Sequence, residues 1–300
     1  MSLDGDELWA PFRFTARDGL NLYARDYGDR LAAAIPLLCL PGLTRNSKDF
    51  HHIASRLAVD PKTPRRVVCF DYRGRGQSDW DRDWRNYSPQ TEALDVFDLL
   101  TAAGMQHAII LGTSRGGIIA MIMGAMRPGM LAGVILNDVG PVIGDTGIAR
   151  IKAYVGRAVA PRTWDDAIAN VRQANEAQFP NLTREDWEEF ARTIYREDNG
   201  RPKIDYDHAI AKPLQQIDLG ERMPTLWPQF HTLDKMPLMT IRGGLSDLLT
   251  EKTFEAMQSD RPDMVTLTVA GEGHAPRLRG GAEHDAIAKF LAGIDAKAKS

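Results

Sequence analysis

The stretch Ile109-Ile110-Leu111-Gly112-Thr113-Ser114-Arg115-Gly116-Gly117-Ile118-Ile119 constrains this chain more than any other. An apolar run ends in a G-x-S-x-G pentapeptide and passes directly into a second apolar run, the pattern of a strand, a sharp turn and a helix. A serine at the tip of such a turn sits in a strained backbone conformation and is presented for chemistry. Its neighbours two places away must lack side chains so that strand and helix can approach, and Gly112 and Gly116 meet that need. The remainder of the chain has to supply a sheet that ends at this turn and groups that act on the serine.

Strands and helices alternate around the motif. Residues 12–15 and 20–27, separated by Arg17-Asp18-Gly19, predict an opening hairpin at a sheet edge. Apolar runs at 35–40, 66–70, 108–111, 131–136, 238–241 and 264–269 predict further strands, the continuous ones buried on both faces. Helical spacing at 48–59, 89–103, 118–126, 250–257 and 283–291 places crossovers between them, the second opened by Ser88 as cap and Pro89 at its first position. This order predicts an α/β fold with a mostly parallel, eight-stranded sheet flanked by helices. Between 141 and 235 the rhythm breaks. Helix-like segments at 148–160, 163–178 and 183–196 and a proline-punctuated stretch at 202–228 predict an inserted helical cap, with 1–140 and 236–300 forming the core.

Composition narrows the partners. Lys+Arg 37 against Asp+Glu 40 gives a net charge of −3, too near neutral to favour nucleic acid or an anionic membrane, so a small molecule is the expected partner. The acidic segment 1–7 has no apolar core, and no run of roughly 18 apolar residues is present, so a soluble, cytoplasmic protein is expected. Oligomeric state is left open. Cys39 and Cys69 lie inside predicted strands and read as buried reduced thiols. The seven histidines are scattered; the adjacent His51 and His52 diverge by about 100° on a helix, so neither metal nor cofactor is expected. Residues 71–78, Asp-Tyr-Arg-Gly-Arg-Gly-Gln-Ser, lack the lysine of a phosphate cradle and read as a tight structural loop.

Ligand crevices in open parallel sheets lie beyond the carboxyl ends of strands, where Ser114, Asp247 and His274 all fall. Their chain order, Ser then Asp then His, is the one that accompanies a G-x-S-x-G turn. Asp138 also follows a strand end and could supply the acid from the other side, or stand as a hydrogen-bonded loop residue near the site. Serine needs a base to become a nucleophile at neutral pH, and an imidazole suits that task.

Leu-Pro-Gly-Leu-Thr (40–44), the 71–78 loop, Gly-Thr-Ser-Arg-Gly-Gly (112–117), Arg-Gly-Gly-Leu-Ser-Asp (242–247) and Gly-Glu-Gly-His-Ala-Pro (271–276) together resemble the signatures of the α/β-hydrolase family, over about residues 12–291 outside the cap. The resemblance implies Ser114 as nucleophile, His274 as general base and then acid, and Asp247 as orienting carboxylate. It also implies an oxyanion hole from the backbone N–H groups of Leu43 and Arg115. The expected activity is a serine hydrolase cleaving a small ester, lactone or related acyl or carbon–carbon substrate through an acyl-enzyme. A non-hydrolytic member of the fold, such as a ligand-binding receptor, lyase or perhydrolase, is the alternative. For the pocket wall the candidates are Arg45, Asp138, Trp164, Trp187 and Trp227, with Phe179 and Tyr195 beside them. The side chains of Arg45 and Arg115 could clamp a substrate carboxylate, or Arg115 could instead bond Asp138 or Asp145.

Overall fold

The structure, a computed structural model, describes residues 8–156, 160–218, 220 and 223–299. The acidic segment 1–7 and the part of the predicted helix at 157–159 lie outside the described residues. The strands are β1 (Trp9–Thr15), β2 (Asn21–Tyr27), β3 (Leu37–Leu40), β4 (Val67–Asp71), β5 (Ala108–Thr113), β6 (Leu131–Asn137), β7 (Tyr195–Asp198), β8 (Arg201–Ile204), β9 (Leu238–Gly243) and β10 (Val265–Val269). Eight of them form one sheet in the order β1-β2-β4-β3-β5-β6-β9-β10. The pairs β1–β2 and β2–β4 are antiparallel and all others in this sheet are parallel.

The helices are α1 (His51–Ala58), α2 (Pro89–Ala102), α3 (Arg115–Met126), α4 (Asp145–Tyr154), α5 (Trp164–Asn175), α6 (Arg184–Ile194), α7 (Ala211–Gln215), α8 (Trp227–His231), α9 (Glu251–Asp260) and α10 (Gly281–Lys299). Because side chains alternate across a strand, each central strand feeds two cores. Leu38, Leu40 and Ile110 pack with Phe97 of α2 and Ile119 and Met123 of α3, while Leu37, Cys39, Ile109 and Leu111 pack with Ile53 and Leu57 of α1 and Ile287 and Leu291 of α10. Each such side chain, fully buried, contributes about 1.5–3 kcal/mol, and a one-residue slip would exchange the two faces. Cys39 and Cys69 face each other in register, buried and unbonded.

The segment between β6 and β9 holds α4 to α8. Thr163 and Thr183 open α5 and α6 with reciprocal capping boxes to Asp166 and Asp186. A separate apolar cluster, including Val171, Phe179, Trp187, Phe190 and Tyr195, gives the two helices a core of their own. One feature departs from expectation. The predicted helix 183–196 stops at Ile194, and Tyr195–Asp198 pairs with Arg201–Ile204 as a hairpin. Asn199 and Gly200, at φ 51° and 77°, make its turn.

Candidate active site

Ser114 occupies the single position between β5 and α3, with φ 51° and ψ −109°. Its N–H donates to the Asn137 carbonyl at 2.9 Å, which ties the turn to β6. A Cβ on Gly112 would lie 2.4 Å from the Gly116 carbonyl carbon, and one on Gly116 would lie 2.1 Å from the Leu40 carbonyl oxygen. Only glycines let strand and helix close to this distance.

Ser114 Oγ lies 2.9 Å from Nε2 of His274, and Nδ1 of the same ring lies 2.8 Å from Oδ2 of Asp138. Asp138 directly follows β6, at φ 57°, and is fully buried. Its carboxylate also accepts the Gly243 N–H at 2.8 Å and the Ser246 hydroxyl at 2.6 Å. The expectation that Asp247 would face the imidazole is corrected here. After β9 the chain turns so that Ser246 points inward, and Asp247 instead receives a two-pronged bond from Arg150 of α4, at 2.7 and 2.8 Å. Burial opposes the Asp247 charge, but the Arg150 fork outweighs it and holds the carboxyl below its usual range. A hydroxyl, an imidazole and a buried carboxylate in this relay can generate an alkoxide-like nucleophile at neutral pH.

Arg115, at the first position of α3, has no carbonyl one helical turn behind it to accept its N–H, and Leu43 lies in the loop after β3, on the same cavity as Ser114. The side chain of Arg115 turns away from that cavity. Its Nε donates to Glu92 at 2.7 Å and an NH2 donates to the Tyr87 carbonyl at 3.1 Å, so the expected carboxylate clamp and the alternative bonds to Asp138 or Asp145 are both replaced. Glu92 also pairs with Arg75 at 2.8 Å, and Arg75 Nε donates to the Leu43 carbonyl at 2.8 Å. Burial alone would raise the Glu92 carboxyl, yet the two guanidiniums bring it below its ordinary value. The 71–78 loop is thus built around buried charge: Arg75 within it, and Asp71, whose carboxylate accepts the Ser47 and Gln77 N–H groups.

Between the sheet and the segment joining β6 to β9 lies a cavity of about 450 Å³, reached by Ser114, His274 and Leu43 and walled by Tyr154, Phe190, Tyr195 and Tyr206. None of the three expected tryptophans lines it. Trp187 stacks on Phe190 inside that segment, Trp227 packs against Phe230, and Trp164 borders a separate polar cleft. Phe179 is likewise buried within the segment, and of the aromatics expected there only Tyr195 reaches the cavity. Arg45 does line it, but its guanidinium is held by Asp49 and by Thr193. Gln178, not anticipated from sequence, receives the His274 N–H on its side-chain oxygen at 2.8 Å. A glutamine in a polar segment carries no signature that would mark it.

Among the described residues no group of three or more His, Cys, Asp or Glu is placed to hold a metal ion. Residues 37–289 match the alpha/beta hydrolase family. The chain is 31% identical over 92% of its length to 3-hydroxybutyrate-oligomer hydrolase of Cupriavidus necator, covering 94% of that protein. It is 25% identical to 2-(acetamidomethylene)succinate hydrolase of Mesorhizobium japonicum, over 79% of this chain and 81% of that one. The crystal structure of an alpha/beta hydrolase from Novosphingobium aromaticivorans superposes with a TM-score of 0.86 at 35% identity, covering 95% of this chain and 98% of the other. An eight-stranded, mostly parallel sheet with helices on both faces, joined to these likenesses over nearly the whole chain, leads to one conclusion: this protein is a hydrolase that belongs to the alpha/beta hydrolase family.

Proposed function

We propose that the chain is a serine carboxylic-ester hydrolase in which Ser114 is the nucleophile, His274 the base and then the acid, and Asp138 the orienting carboxylate. The observation that carries this reading is the unbroken relay from Ser114 Oγ through both ring nitrogens of His274 to Asp138. Ser114 Oγ attacks the ester carbonyl as its proton passes to Nε2. The N–H groups of Leu43 and Arg115 stabilise the resulting oxyanion, each donor being worth about 3 kcal/mol of barrier. Collapse breaks the acyl–oxygen bond, the imidazolium protonates the departing alkoxide, and water repeats the sequence on the acyl-enzyme to release the acid.

Short oligoesters of hydroxyacids are the favoured substrates. The cavity volume of about 450 Å³ suits a ligand of a few such units, and the relative from Cupriavidus necator is named for acting on 3-hydroxybutyrate oligomers. Rapid mixing with p-nitrophenyl acetate tests the nucleophile. A burst of nitrophenolate, matched by covalent labelling with an organophosphonate and abolished in Ser114→Ala, is expected. Absence of turnover and labelling in the unmodified protein would point to a ligand-binding member of the fold.

A further inference from the structure

Three arginines line the cavity that holds Ser114: Arg45, Arg277 and Arg279. Two are neutralised by carboxylates. Arg45 makes a two-pronged bond to Asp49 at 2.8 and 2.6 Å, and Arg279 pairs through both terminal nitrogens with Glu189.

Arg277 differs. Its side chain is 8% exposed, yet the one carboxylate among the described residues within 4 Å of its guanidinium, that of Asp186, stands at 3.7 Å, beyond hydrogen-bond reach. The oxygen nearest Arg277 is Oδ1; the other, Oδ2, accepts the Thr183 N–H and hydroxyl of the capping box at 3.0 Å each. What remains is one contact of 3.5 Å to the Asp186 carbonyl and the face of the Phe190 ring, 5.1 Å from the guanidinium carbon. A planar group with five N–H donors is therefore buried against the Phe190 ring with one 3.5 Å hydrogen bond from its side chain, the carboxylates of Asp186, Glu189 and Glu272 acting on it through their charge. Burial, followed by the like charge of Arg279, lowers its pKa to about 10. Burying a guanidinium whose N–H donors lack acceptors at hydrogen-bond distance is costly, and a ligand carboxylate offers two parallel N–H···O bonds that offset the cost.

The residue is also fixed in place. Its backbone N–H donates to Glu272 at 2.8 Å, and it sits three residues beyond His274 in the same loop. A carboxylate held there lies in the same cavity as the ester it accompanies.

We propose that Arg277 is the carboxylate-binding residue of this cavity, and that the preferred substrates are esters carrying a free carboxylate, such as the acid terminus of a short hydroxyacid oligomer. This inference rests on the assignment of Ser114 as the hydrolytic nucleophile.

The test compares the linear dimer of 3-hydroxybutyrate with its carboxamide, which keeps the same single ester bond and removes only the charge. Acid release in a pH-stat gives kcat/KM, and calorimetric titration of Ser114→Ala gives Kd without turnover. The expected preference for the acid is about 10- to 100-fold in both measurements, the worth of a charge-assisted hydrogen-bond pair. Arg277→Met is expected to bring the acid-to-amide ratio to near unity, and Arg277→Lys to give an intermediate ratio. Should the methionine variant not fold, the ratio in the unmodified protein and in the lysine variant carries the test. Equal handling of acid and amide, binding of neither, or a preference that survives Arg277→Met overturns the proposal. If p-nitrophenyl acetate turnover is lost in Ser114→Ala while acid and amide are treated alike, the inference fails and the nucleophile assignment stands. If Ser114→Ala still turns over, the assignment itself fails.

Discussion

Replacing Asp138 by Asn keeps the shape of the site but turns one of its acceptor oxygens into a donor facing either both His274 and the Ser246 hydroxyl or the Gly243 N–H. The imidazole then loses the partner that fixes its tautomer, and kcat/KM for p-nitrophenyl butyrate is expected to fall by about 10,000-fold. Asp247→Asn, whose partner is Arg150, is expected to stay within about one order of magnitude, because its charge is matched by that arginine and it makes no bond to the imidazole. Equal losses in the two variants would remove Asp138 from the relay. That Ser114 and His274 would meet was legible in the sequence because their signals are local: glycine spacing about the serine, and a strand end before the histidine. The choice between two aspartates was not. Both follow strand ends, and what separates them is whether residue 246 or 247 turns inward after β9, which depends on how two loops close in space. The Ser246 hydroxyl, bonded to Asp138 and accepting the Leu248 and Leu249 N–H groups, decides it.

At the scale of elements, α2, α3 and the loops after β3 and β4 meet through Glu92. One buried carboxylate binds Arg115, whose N–H is a proposed oxyanion donor, and Arg75, which grips the carbonyl of Leu43, the other. Glu92→Gln removes the charge that holds both arginines. The expected result is a drop in kcat of about 10- to 100-fold with KM little changed, since a misplaced donor weakens the transition state more than the bound ester. A lower Tm is expected as well, because Arg75 is left buried without its counter-charge. If Tm falls while kcat per folded molecule does not, Glu92 serves the fold alone. Strand and crossover periodicity made this layout readable in advance, yet the hairpin β7–β8 was missed. Its strands carry Arg, Glu, Lys and Pro and bury Tyr195 and Pro202, so alternation is faint. The Asn199-Gly200 turn was the available signal, and the helical pattern running into Tyr195 masked it.

For the molecule as a whole, the question is what holds the segment between β6 and β9 on the sheet and its helices. The tryptophans of this segment were expected at the cavity, but α5 and α6 have an apolar cluster of their own, and Trp187 is spent there. The segment joins the main body through apolar packing of Ile148, Ile151, Leu214 and Phe230 and through polar contacts: Arg150 to Asp247, Tyr87 to Asp207 at 2.6 Å, Lys48 to Asp205 at 2.9 Å, and Glu189 of α6 to both Arg279 and His52. The last of these is titratable in a defined direction. Burial raises the Glu189 carboxyl, but the His52 hydrogen bond and the Arg279 charge prevail and lower it from 4.5 to about 2. A carboxyl depressed in the folded state contributes stability that is present above its unfolded value and is lost as pH falls through the folded one. Glu189→Gln is therefore expected to have a lower Tm than the unmodified protein at pH 7. The gap should hold down to about pH 4.5, narrow below it and close near pH 2. Melting curves across that range measure it directly. A gap that stays constant from neutral pH to the acid limit would mean that Glu189 contributes through packing and not through its charge.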